Sequence, residues 1–372
     1  MKKRRFMNIV AVMGLTLLTA CSGSEQKEVS NEPAVDLNSL TQEELIAAAK
    51  EEGVIETVGM PDNWACWGDS FARIEELYGL KRYDTDMGSA EELSLFEAEK
   101  DDPTKDLGDV GHAFSIVAKE KDVIQGYKPT TWDSIPDWAK DPDGGWIMSY
   151  TGTLGFCVNT ELTGGAVPHT WAELLEGNYK VCPGNVIGGA SAQIGVISCA
   201  IANGGSLDNV QPGIDFYKEL AKQGRIDPGE NNYSRIANGE VAVSTDLFDF
   251  VTLGYQDTLE QEGSNVKIQT VIPQDGAITS GYCLVFNKYS PHPHATALAI
   301  EYLLSDEGQV DRARGFARPI REDVEIPEEI QAKMLPDSEY ENTTTISDVN
   351  ELTEACEEVA RLWEEEVIPL FN

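Results

Sequence analysis

Basic residues are scarce in this chain: 28 Lys and Arg stand against 64 Asp and Glu, for a formal charge of −36. A chain so acidic is repelled by nucleic acid and by anionic headgroups, so no nucleic-acid partner is expected. The bland reading of this charge is a solvated acidic surface. Histidine is rarer still, at four, which argues against a His-built metal cage. His292 and His294 share a Pro-rich stretch and are expected on the surface. No Cys-x-x-Cys pair occurs, so a structural zinc site is not expected. Motifs of catalysis are missing too. There is no Gly-x-Ser-x-Gly elbow, no His-Glu-x-x-His, no Gly-x-Gly-x-x-Gly and no phosphate-binding Gly-Lys-Ser loop. No cofactor and no enzymatic activity are expected. A secreted hydrolase working through a carboxylate pair stays compatible with composition alone.

The first twenty residues carry the opposite charge. Lys2, Lys3, Arg4 and Arg5 precede an apolar run over 6–18 that is short for a membrane span and reads as a signal peptide. It ends Leu18-Thr19-Ala20-Cys21, which looks like a bacterial lipobox, with cleavage before Cys21 and acylation of its sulfur. Residues 21–40 are polar and read as a flexible tether. The expected location is extracytoplasmic, on a bacterial membrane through the lipid at Cys21. Six further Cys remain: Cys66, Cys157, Cys182, Cys199, Cys283 and Cys356. Their even number permits disulfides in an exported chain, but several lie in apolar runs where a thiol packs as a small hydrophobe.

About 350 residues follow the leader, more than one core usually supports, so two lobes are expected. Thr41-Gln42-Glu43-Glu44 resembles a capping box opening a helix that Gly53 stops. Strands are then expected at 54–58, 83–87 and 107–111, with helices at 70–78, 90–100 and 113–124. This alternation implies an α/β lobe with an open sheet. Two strands, 146–150 and 154–159, surround the first passage into a second lobe. That lobe has helices after Gly188-Gly189, at 213–222 and at 233–238, and strands at 241–244 and 266–272. The chain returns over 281–287 and ends in helices at 295–304, 309–315 and 349–368. The expected organisation places one lobe at 41–153 and 281–372 and the other at 154–280.

Three stretches, taken in order with the lipobox, carry a resemblance. They are Asn238-Gly239-Glu240-Val241-Ala242-Val243, Ile272-Pro273-Gln274-Asp275-Gly276, and the Ala-Leu-Ala-Ile-Glu-Tyr-Leu-Leu-Ser-Asp-Glu-Gly-Gln run of 297–309. The chain resembles extracellular solute-binding lipoproteins of ABC importers, in the type II periplasmic-binding-protein family. Its branch covers polyamine, thiamine, ferric-iron and phosphonate importers. The resemblance spans most of 45–322. It implies a two-lobed α/β fold, each lobe an open sheet flanked by helices, joined by a two-crossover hinge. It also implies a monomer that captures a small molecule between its lobes and delivers it to a membrane permease.

Ligand contacts in such a fold are expected on loops at the C-terminal ends of strands. Pro61 to Asp69 follows the first strand and holds Asp62, Trp64, Trp67 and Asp69. Trp faces attract cations and carboxylates satisfy ammonium charge. Polyamine binders of the family carry a Trp and a second aromatic three apart here, a spacing that Trp64 and Trp67 match. Alternatively Trp67 packs in the core and Asp69 caps the helix. Asp246 and Asp249 lie in the second acidic and aromatic stretch, 244–250, where ferric-iron relatives place adjacent tyrosines. Leu247 and Phe248 stand there instead, which counts against iron. Ser191, after Gly188-Gly189, could open a helix onto an anion or simply cap it. Tyr150 and Thr151 at one crossover, and Asp275 and Tyr282 at the other, complete the candidates. Arg318 and Arg321 are expected to brace the first lobe. No Lys or Arg lies in the favoured loops, so a cationic, polyamine-like amine is the expected ligand. A phosphonate or phosphate ester, or ferric iron, is the alternative.

Overall fold

A computed structural model describes residues 36–346 and 348–371. The leader, Cys21 and most of the expected tether lie outside the described residues. Thr41 caps the first helix as its sequence indicates: its side chain accepts from the Glu44 N–H and Glu44 reaches back to the Thr41 N–H. The chain then alternates: α1 (Gln42–Glu52), β1 (Val54–Val58), α2 (Trp67–Tyr78), β2 (Lys81–Thr85), α3 (Ser89–Ala98), β3 (Leu107–Gly111) and α4 (His112–Glu120). Next come β4 (Trp146–Asn159), α5 (Trp171–Glu176), β5 (Val181–Cys182), α6 (Ala190–Ala202), α7 (Gln211–Lys222) and α8 (Tyr233–Ala237). They are followed by β6 (Val243–Phe248), α9 (Asp249–Gln261), β7 (Ile268–Val271), β8 (Ala277–Phe286), α10 (Pro293–Leu303) and α11 (Asp306–Arg314). The chain closes with β9 (Arg318–Pro319), α12 (Glu328–Gln331), β10 (Thr343–Thr345) and α13 (Val349–Leu362).

The strand order is β2-β1-β3-β8-β4-β6-β5. β1, β2 and β3 are parallel, and β8 joins them antiparallel. The strands expected at 146–150 and 154–159 are one continuous strand, β4. Up to Thr153 it pairs with β8; from Leu154 onward it pairs with β6 and β7. Register shifts between Met148 and Tyr150 and between Gly155 and Cys157 let one strand serve both sheets. The two lobes therefore share β4.

Several boundaries differ from the sequence reading. α2 starts one turn early, so Trp67 is helical and Asp69 sits inside the first turn, where it accepts from the Cys66 thiol at 3.3 Å. β6 extends to Phe248, placing Asp246 on the strand itself. Gly189, not Ser191, is the N-cap residue of α6. The terminal helix, expected with the first lobe, packs α13 against α4 and also against α6 and α7. It buries Leu352, Cys356, Val359 and Leu362 in doing so. His292 and His294 each hold a carboxylate, Asp106 at 2.9 Å and Glu52 at 2.7 Å. Arg321 donates to the Leu304 carbonyl at 3.0 Å and pairs with Asp323 and Asp306. Arg318 lies over the Tyr340 ring, 4.2 Å from its centroid. The six described cysteines are free thiols, five of them buried. Among the described residues no helix is long and apolar enough to cross a membrane.

Candidate functional site

A cleft of about 400 Å³ opens where the C-terminal ends of β1 and β3 meet the start of α6 and the acidic end of β6. Its location follows from the topology. Parallel strands deliver their following loops to one edge, and a sheet reversal there leaves a crevice.

The lining is acidic. Asp86, Glu91, Glu92, Asp109, Glu230 and Asp246 all reach it, together with Trp64, Ser191, Asn231 and Tyr282; among the described residues no Lys, Arg or His does. Three of the carboxylates are nearly dry: Glu92 and Asp109 are 1% exposed and Asp246 7%. Burial therefore pushes Asp109 up to about 8, against hydrogen bonds and a nearby Arg312 charge that pull it down. Burial and the neighbouring Asp109 hold Glu92 well above the usual carboxylate range. Asp246 is pushed up to about 6 by burial, opposed by Asn231 and Ser244. Burial and then Asp84 raise Asp86 as well. A site that destabilises its own carboxylate charges favours a bound cation, which restores the ionised form.

Each acid is held by its local structure. Asp109 Oδ2 accepts from the Tyr150 hydroxyl at 2.6 Å and from the Trp67 indole N–H at 3.2 Å. Its Oδ1 is buried with no hydrogen-bond partner. Glu92, on the first turns of α3, accepts from the Asp109 N–H at 3.2 Å. Asp246 Oδ1 accepts from the Ser244 hydroxyl at 2.9 Å and from the Asn231 amide. Behind Asp246 the chain must be glycine: Gly184 has φ +70°, and a Cβ there would overlap the Asp246 carboxylate. Trp64 forms an aromatic wall. Its N–H donates to the Tyr150 hydroxyl at 2.6 Å, and its ring meets Tyr282 and Phe250 edge-on at 5.4 and 5.2 Å.

The expected site residues divide by position. Trp64, Ser191, Asp246 and Tyr282 line the cleft. Trp67 and Tyr150 lie fully buried one layer behind it, both bonded to Asp109. Four lie elsewhere. Asp62 points outward and pairs with Arg82 at 2.8 Å. Thr151 serves strand pairing with Gly281 and Arg318. Asp249 takes the Thr153 and Phe250 N–H groups at 2.9 Å each and the Tyr340 hydroxyl at 2.6 Å, fixing the crossover. Asp275 caps α5 by accepting from the Trp171 N–H at 3.0 Å. Sequence reasoning missed Asp86, Glu91, Glu92, Asp109, Glu230 and Asn231. Asp109 did leave a signal, an acid in the middle of the otherwise apolar strand Leu107–Gly111.

Solved structures with this fold include AfuA of Actinobacillus pleuropneumoniae, a periplasmic binding protein with fructose-6-phosphate bound. It is 18% identical with a TM-score of 0.67, over 84% of this chain and 98% of that one. The apo ferric ion-binding protein A of Pasteurella haemolytica is 15% identical with a TM-score of 0.65, over 86% of this chain and 99% of that one. The Atu4243 GABA receptor is 17% identical with a TM-score of 0.60, over 84% and 96%. The fold is that of type II periplasmic binding proteins. No curated protein matches the sequence. The bacterial extracellular solute-binding protein family matches residues 102–350, well over half the chain, and the protein belongs to that family.

Proposed function

We propose that this solute-binding protein captures a small cationic amine, polyamine-like in character, and hands it to the permease of an ABC importer. The observation that carries this reading is the lining of the cleft by six carboxylates without a basic side chain. Ammonium groups pair with carboxylates through charge-assisted hydrogen bonds, and Trp64 and Tyr282 add aromatic surface to the cleft lining. The leader sequence and Cys21 support an extracytoplasmic protein tethered by lipid, and we take it to act as a monomer. We place the lobe boundaries at 41–153 with 281–372 and at 154–280, a reading supported by β4 changing sheets at Thr153 and Leu154.

One observation favours a second reading, an anionic ligand such as a phosphonate or phosphate ester. α6 opens on the cleft at Ala190 and Ser191, with no acidic residue in its first turn and no side-chain cap. A helix start of that kind favours negative charge. Ferric iron has less support. Leu247 and Phe248 occupy β6, and among the described residues no three His, Cys, Asp or Glu are grouped to hold a metal.

Thermal unfolding against amines, phosphate esters, ferric ion and sugars separates these readings. A native-state ligand at a hundredfold excess over Kd stabilises by about 2.7 kcal/mol. A rise in Tm with amines alone is the expected result. A rise with phosphate esters alone would sink the amine reading.

A further inference from the structure

Behind the cleft wall, out of reach of any ligand, Arg312 is buried as a cation. Arg312 on α11 has no exposed surface. Its guanidinium carbon stacks 3.7 Å from the Trp67 ring centroid. One terminal nitrogen donates to the Cys66 carbonyl at 3.3 Å and to the Ser70 hydroxyl. Its Nε and Nη1 are buried without a partner. Desolvating a guanidinium costs several kcal/mol on the order expected for a buried ion, so an arrangement built for stability alone would set a carboxylate directly against it. Asp311, the adjacent acid, is instead occupied by the Ser70 and Tyr302 hydroxyls at 3.0 and 2.9 Å and by Arg314.

Two features tie Arg312 to the cleft. The backbone it holds is strained: Ala65 and Cys66 are both left-handed, at φ 46° and 61°. Such residues are costly and persist only where their surroundings fix them. This turn sets Trp64 against the cleft and Trp67 one layer behind it. The second feature is the indole of Trp67 itself. Its face carries Arg312, and its edge N–H carries Asp109 at 3.2 Å. A cation on the ring face draws density from the π system and strengthens the N–H as a donor.

The charged and titratable groups around Asp109 are otherwise acidic or neutral. Glu92 faces it from α3, Asp84 from β2, Tyr150 from β4, and Tyr282 and Cys283 from β8. Arg312 is the positive charge among them.

We propose that Arg312 is the positioning residue of the cleft: through the Cys66 carbonyl and the Trp67 indole it fixes the aromatic wall and keeps the Asp109 carboxylate aimed toward a ligand cation. This rests on the reading of the cleft as a cation site.

The test starts without ligand. The indole ¹⁵N–¹H signal of Trp67, assigned by Trp67→Phe, reports the ionisation of Asp109 as pH is varied. In Arg312→Met the midpoint should rise by about one pH unit or more, because an opposite charge close to a carboxylate moves it by about that much. Arg312→Lys, which keeps the charge, should stay nearer the wild-type midpoint. An unchanged midpoint in Arg312→Met overturns the proposal. Where Arg312→Met fails to fold, Arg312→Met/Asp109→Asn should fold, since the uncompensated buried acid is gone; failure of both overturns the proposal and leaves Arg312 a purely structural cation. A binding arm uses 1,4-diaminobutane as probe. In Arg312→Met the pH of half-maximal affinity should climb with the indole midpoint. Absence of binding to the wild type would sink the amine reading, while the indole titration still decides the role of Arg312.

Discussion

Gly111, at the end of β3, faces Ala190, the first residue of α6, in the buried contact beside the cleft, and the two backbones approach so closely that a side chain on Gly111 would overlap the Ala190 methyl. Here the two walls of the cleft touch. Gly111→Ala should hold them apart and weaken ligand capture by tenfold or more, about 1.4 kcal/mol. Ala190→Gly in the same chain should restore binding. Titration calorimetry of the single and double variants checks this, and a neutral Gly111→Ala would mean the approach plays no part in closure.

Asp246 sits on β6 with Ser244 and Asn231 as its hydrogen-bond partners. Asp246→Asn preserves shape and removes the charge. Affinity for an amine should fall by about 1.5–3 kcal/mol, the range for hydrogen bonds to charged groups. Affinity for a phosphate ester should hold or improve. Competition binding with both ligand classes reads the outcome.

The buried acids make ligand-free stability depend on pH with a defined sign. Asp109 and Asp246 have folded-state values raised to about 8 and about 6 by burial. A raised carboxylate binds protons more tightly in the folded than in the unfolded state. Its contribution is therefore present at low pH and lost as pH rises from about 4 through the folded value. The Tm of wild type relative to Asp109→Asn should fall between pH 5 and 8.5. Over the same range an amine should raise the Tm progressively more, with protons released on binding. Calorimetry in buffers of different ionisation enthalpy measures that release; none would contradict the site.

The C-terminal helix braces both lobes. α13 packs on α4 and on α6 and α7, and Leu352 is fully buried within it. Leu352→Ala should cost about 2–5 kcal/mol, as for other leucines truncated in a core. Denaturant unfolding gives the value, and a loss under 1 kcal/mol would mean the contact collapses to fill the space.

Cys21 is testable apart from the fold. Cys21→Ala should abolish fatty-acid labelling and release the protein from the membrane fraction, leaving amine-induced stabilisation unchanged. Retained labelling would show that another residue carries the lipid.

Much of this was legible in the sequence, for reasons that differ by element. Thr41-Gln-Glu-Glu is a local hydrogen-bonding pattern, and the helix it opens forms as read. Alternation of apolar segments showed the α/β class, because burial on both faces of a parallel sheet demands it. Trp64 and Asp246 were singled out for their place after strands, Ser191 for its place at a helix opening and Tyr282 for its place at a crossover, and all four line the cleft. Asp249 and Asp275 resembled Asp246 in type and setting, yet fold into caps and crossover bonds. The difference lies in which backbone N–H groups come near them, and those belong to Thr153 and Trp171, far away in sequence. Glu92 was hidden because its helix was read for its apolar face.

What the sequence determined by itself was what a few neighbouring residues encode: the Thr41 capping box, the acidic charge and the alternation of strands and helices. What only the tertiary structure decided was which acids meet. Asp109, Glu92 and Asp246 come from three elements brought together by strand order, and Arg312, more than two hundred residues from Trp67, stacks upon it. Charge and burial at a site are sums over neighbours in space, and no window along the chain contains those neighbours.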